Sequence, residues 1–154
     1  MSLTNATVSN MQNIPDSMRS VSIKEFGAAD KMEIIQTPVP EVHDDEVLIK
    51  VKAAGVSRPD IYQRLGAYPP PPGASDVLGL EVSGEVVAIG DEVTKWQVGD
   101  AVCALMTGGG YAEYAVTSQK LCLPIPEPLG FIEAAGIPEA FFTCLLYTSD
   151  AADE

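Results

Sequence analysis

The 154 residues predict a mostly-β domain, a barrel or a sandwich of short strands. Three observations carry that expectation. Apolar residues alternate with polar ones over short runs. Gly, Pro and Asp clusters punctuate those runs at close intervals. Only residues 131–143 carry apolar positions compatible with a packed helix face.

In chain order, residues 1–17 are rich in Asn, Ser and Thr and lack periodicity, which predicts a flexible tail, with Met18 as an alternative start. Strands are expected at 18–23 and 31–36, around a turn at Gly27. Residues 46–54 place Val47, Ile49, Val51 and Ala53 on one face and Lys50 and Lys52 on the other, a half-buried strand. One or two helical turns fit 59–64, ending at Gly66. The run Tyr68-Pro69-Pro70-Pro71-Pro72-Gly73 can be neither helix nor central strand, because proline lacks the backbone donor. Further strands are expected at 81–89, 101–105, 111–116 and 121–123. The helix at 131–143 should break or restart at Pro138.

Composition narrows the function. A hydrophobic fraction of 46% with 20% charged residues suits one globular core. The net charge of −13 repels phosphate backbones and anionic membrane surfaces, which excludes nucleic acid and membrane as partners. No run reaches the roughly 18 apolar residues of a membrane-spanning helix. Cys103, Cys122 and Cys144 are too far apart for a disulfide framework or zinc knuckle, so a cytoplasmic location is expected. Cys103, within an apolar strand, reads as an inert core thiol. His43, the single histidine, lies in a polar loop and reads as a solvated residue rather than a general base.

Six motifs then stand in register: Glu46-Val47-Leu48-Ile49-Lys50-Val51, the segment from Gln63 through the Tyr68 proline run, and Leu78-Gly79-Leu80-Glu81-Val82-Ser83-Gly84. They continue with Trp96-Gln97-Val98-Gly99-Asp100, Gly108-Gly109-Gly110-Tyr111-Ala112-Glu113-Tyr114 and Ile137-Pro138-Glu139-Ala140. This series resembles the medium-chain dehydrogenase/reductase superfamily, specifically its zinc-free, zeta-crystallin-like NADPH:quinone oxidoreductases, and within them the tumour-suppressor-induced group. The resemblance implies a GroES-like barrel over residues 18–130, with 131–143 starting a helix that leads to a Rossmann domain. It implies NADPH as cofactor of the parent enzyme, not expected to bind this fragment tightly, and a small quinone or enone as substrate; the oligomeric state is not implied.

Residues 144–154 break the resemblance, because the family continues its helix beyond Thr143. The same string resembles a translated sequencing adapter, the transposase end plus primer of tagmentation libraries. It is expected to be non-native read-through, with the Rossmann domain missing by truncation; a divergent native C-terminus is the alternative. The sequence has no Gly-x-Gly-x-x-Gly, and Gly108–Gly110 leads towards a strand rather than a helix N-terminus.

The resemblance also implies site residues. Where zinc-dependent relatives hold their metal, this chain has Ser57 and Leu80, neither a suitable ligand, so no metal is expected. Ser57 and Arg58 match an Asn-Arg segment near the nicotinamide ribose, with Ser57 departing from the Asn; Arg58 could equally pair with Asp60. Thr143 matches a threonine near the nicotinamide. Tyr68 would line the catalytic cleft or else pack on its prolines. Glu81 would satisfy backbone or an arginine, or else move protons. Three functions follow: a zinc-independent quinone or enone reductase for the parent, a catalytically inactive barrel for the chain by itself, or an enoyl reductase module of the same fold.

Overall fold

The computed structural model describes residues 14–150. Residues 1–13 of the expected tail and 151–154 of the expected read-through lie outside the described residues. Strands β1 (Ser17–Ile23) and β2 (Met32–Pro38) form an antiparallel hairpin, paired from Ser17↔Pro38 to Ile23↔Met32. The second sheet holds β3 (Glu46–Ala54), β4 (Glu81–Ile89), β5 (Ala101–Leu105), β6 (Tyr114–Ser118) and β7 (Cys122–Pro124). Its order is β6-β3-β4-β5-β7, antiparallel throughout.

β3 and β4 form the spine. Their register shifts between Leu48 and Ile49 and again between Val51 and Ala53. Such bulges bend a strand and increase its twist, which lets the sheet curl around an interior. That interior gathers Val47, Ile49, Val82, Val86, Val102 and Ala104. Burying each of the larger side chains contributes about 1.5–3 kcal/mol.

The simple two-face reading of β3 needs one correction. Leu48, expected opposite the core face, is 2% exposed, packed with Met18, Val87 and Tyr114 in a second cluster. Both faces are therefore covered at the start of the strand.

The strand expected from residue 111 begins at Tyr114, because the preceding three residues join the two sheets instead. Val21 N–H donates to the Tyr111 carbonyl (2.9 Å), and Glu113 N–H donates to that of Arg19 (3.1 Å). The Glu113 carbonyl in turn accepts from Val51 N–H of β3 (2.9 Å). Ser20 and Ala112 form an isolated bridge between these ladders. This stitch makes the mostly-β, GroES-like architecture continuous.

The α-helices among the described residues are α1 (Arg58–Arg64), α2 (Phe131–Ala134) and α3 (Pro138–Asp150). The expected interruption falls where proline demanded it, since α3 starts on Pro138. Ser83 Oγ donates to the Phe131 carbonyl at 2.5 Å, fastening α2 to β4. Contacts with β4 and β5 hold the start of α3, whereas Cys144 to Ser149 are exposed.

Candidate functional site

The chain leaves β3 through Gly55-Val56-Ser57 and enters α1 on Arg58-Pro59, a first turn that tolerates proline because its N–H would be unpaired anyway. Asp60 holds this entry. Its Oδ2 accepts from Ser57 N–H (2.7 Å) and from Ser57 Oγ (3.0 Å). Arg58 is exposed, and among the described residues no ion pair joins it to Asp60. The sequence pattern Ser-x-x-Asp was the available signal for this role of Asp60.

Beside α1 lies Glu81, 4% exposed at the head of β4. Its Oε2 accepts the backbone N–H of Glu139 at 2.9 Å, supplying an acceptor to an otherwise unpaired amide in the first turn of α3. Gly55 packs so closely that a Cβ there would collide with the Glu81 carboxylate. Glu81 thus joins the β3–α1 connection to the start of α3. Thr143, one turn beyond Glu139, occupies the same side of that helix and is exposed.

The electrostatics are those of crowded acids. Burial pushes the Glu81 carboxyl above the usual range; the Glu139 N–H opposes that rise, and the charges of Glu139 and Asp60 add to it. Glu139 is raised by burial and then by Asp60. Tyr111 is raised strongly, by burial first and then by Asp60 and Glu81, so its phenol stays protonated at neutral pH. Burial pushes the Cys122 thiol up to about 12 and raises Cys103 as well, which removes the nucleophilic thiolate from both.

The structure brings Ser57, Arg58, Glu81 and the start of α3 into one region. Tyr68 lies in the proline loop and is 49% exposed. His43 is exposed, and its backbone N–H donates to Glu46 Oε2 at 3.0 Å. Residue reading missed Tyr111 and Glu139 as members of this region, whose place depends on long-range packing.

The two places where the sequence raises a metal or a phosphate are Leu80 and the Gly108–Gly110 turn. Leu80 is buried hydrocarbon, and among the described residues no group of three His, Cys, Asp or Glu side chains is placed to hold a metal. The N–H groups of Gly109 and Gly110 donate to the carbonyls of Val77 (2.7 Å) and Gly79 (3.0 Å). They are not free for phosphate, and they precede an extended segment rather than a helix.

A curled antiparallel sheet closed by a hairpin, with its C-terminal helix anchored at one end, is the architecture of the GroES-like domains of dehydrogenases and reductases. Residues 43–127 match the alcohol dehydrogenase GroES-like domain, and the chain belongs to that family. It is 36% identical over 130 residues to the quinone oxidoreductase of Mus musculus, covering 82% of this chain and 39% of that protein. Among solved structures, the human synaptic vesicle membrane protein VAT-1 homolog-like protein superposes with a TM-score of 0.82 at 34% identity. That match covers 90% of this chain and 45% of the other. CurK enoyl reductase superposes with a TM-score of 0.73 at 28% identity, over 84% of this chain and 41% of that one. The chain spans about two-fifths of the length of the curated quinone oxidoreductase it matches.

Proposed function

We propose that this chain is the substrate-side domain of an NADPH-dependent oxidoreductase that reduces a quinone or related enone without zinc. The observation that carries the reading is the likeness to a protein named quinone oxidoreductase across most of this chain. The nucleotide would lie on a second domain outside these 154 residues and would supply the hydride. The residues of this chain orient the acceptor and exclude water. Ser57, Arg58 and Thr143 face the nicotinamide side in this reading. Tyr68 offers a ring face to a planar acceptor and a hydroxyl to its oxygen.

The test is a chimera in which residues 18–143 replace the corresponding part of the mouse quinone oxidoreductase. NADPH-dependent reduction of 1,4-benzoquinone is expected. A folded chimera that binds NADPH but reduces no quinone would overturn the reading. The likeness to CurK enoyl reductase favours a second reading, reduction of an enoyl thioester, and preference for that substrate over the quinone would select it. The 154-residue chain alone is expected to show no tight, saturable NADPH binding, because its Gly109 and Gly110 amides are already bonded.

A further inference from the structure

We infer that Asp60 is a positioning residue, fixing the Ser57 hydroxyl as a hydrogen-bond acceptor and so selecting a ligand hydroxyl at that point of the site. Ser57 is half-buried at the turn from β3 into α1, between the exposed Val56 and Arg58. Asp60 is 4% exposed. A buried carboxylate is costly unless it is hydrogen-bonded, and the donors nearest in sequence are those of Ser57. One Asp60 oxygen accepts both the Ser57 N–H (2.7 Å) and the Ser57 Oγ–H (3.0 Å). Burial first, and then Asp60, keep the neighbouring Tyr111 phenol protonated, so it too faces the carboxylate as a donor rather than as a competing charge.

The polarity of the Ser57 bond carries the assignment. A hydroxyl has one hydrogen and two lone pairs. The Ser57 hydrogen is committed to Asp60, so towards a ligand Ser57 offers lone pairs only. Hydrogen bonds to an ionised acceptor are about twice as strong as neutral ones, so a neutral ligand oxygen does not recapture that hydrogen. A ligand ether or carbonyl, which only accepts, finds no donor in the Ser57 side chain. A ligand hydroxyl can donate to it. The Asn of the segment that Ser57-Arg58 resembles would behave differently, because a carboxamide carries donors as well as an acceptor. Ser57 narrows the choice to ligand donors, and Asp60 is the cause. A ligand carboxylate is disfavoured twice, since it brings no donor and would stand near the Asp60 charge. In the oxidoreductase reading, on which the identity of the ligand rests, the hydroxyl belongs to the ribose of the nicotinamide nucleotide.

The same two bonds also close the first turn of α1, so the test separates positioning from helix capping. Its readout is equilibrium NADPH binding to the chimera of residues 18–143 described above, followed by nucleotide fluorescence without turnover. Ser57→Ala removes the acceptor and should weaken NADPH about tenfold, the loss of one hydrogen bond. Asp60→Ala frees the Ser57 hydroxyl to rotate and should also weaken NADPH. Asp60→Asn keeps an oxygen for both Ser57 donors and should stay within about twofold of the parent. In the double variant Ser57→Ala/Asp60→Ala the two losses should not add, because Asp60 acts through Ser57. Capping alone gives a different pattern: a lower melting temperature for Asp60→Ala, with NADPH affinity kept or with losses that add. Should Asp60→Ala fail to fold, Ser57→Ala decides, and unchanged affinity there overturns the assignment. A folded parent chimera that does not bind NADPH overturns the oxidoreductase reading and this assignment with it. A parent that binds, with additive losses or with Asp60→Ala undiminished, overturns the assignment alone.

Discussion

Glu81 is an acceptor held where its charge is costly. Its carboxylate bonds the Glu139 amide, yet burial and the neighbouring acids favour the protonated form. With the folded pKa above the ordinary value, the folded chain binds more protons than the unfolded one between those two values. The stabilisation is fully present below the ordinary carboxylate range and is lost as pH rises through the folded pKa. Glu81→Gln keeps an oxygen for the Glu139 N–H and removes the titration. Its melting temperature at neutral pH should exceed that of the parent, with a shallower fall between acid and neutral pH. Thermal melts across that range decide, and parallel pH profiles would refute the linkage. The packing partner gives a second test. Gly55→Ala drives a methyl into the Glu81 carboxylate and should cost about 1–3 kcal/mol in urea denaturation. Adding Glu81→Ala should remove much of that cost, whereas strict additivity would show that the two residues do not share the clash. The sequence carried Ser57 and Asp60 as a local pattern. It could not carry Glu81 against Gly55, a contact made by residues far apart in the chain.

At the scale of elements, most strands were legible because alternation and turn residues are local signals. β3, β4 and β5 occur at their expected bounds, and the pause before Pro138 follows from covalent geometry alone. β6 was read three residues early, because residues 111–113 have a strand-like pattern whose hydrogen bonds go partly to β1. Choice of partner is a tertiary property that alternation does not encode. Gly79 makes this junction possible: its φ is +104°, and a Cβ there would lie 2.5 Å from the Tyr111 nitrogen. That nitrogen donates to the Leu78 carbonyl at 2.8 Å. Gly79→Ala therefore combines backbone strain with the loss or distortion of a sheet junction. A destabilisation of at least about 1–3 kcal/mol is expected, with hydrogen exchange accelerated first at Val21, Tyr111 and Glu113. Uniform protection at those amides would show that the junction is not the weak point.

For the whole molecule, apolar surface on α3 competes with a large negative charge. Phe141 and Leu145, on successive turns of the helix, are 66% and 68% exposed, and Leu146 and Tyr147 are also exposed. Contiguous apolar surface of this kind promotes association, while a net charge of −13 opposes it. Range decides between them. Repulsion between exposed charges fades beyond about 10 Å at 0.1 M salt, whereas contact between apolar helix faces is little affected by that screening. Sedimentation velocity should therefore show concentration-dependent self-association that strengthens as salt rises from low to moderate concentration. Phe141→Ser with Leu145→Ser should return the chain towards monomer with little loss of thermal stability, because both side chains are already largely in water. A parent that stays monomeric at high concentration and moderate salt would show that this face does not associate. Association surviving the double substitution would move the interface elsewhere.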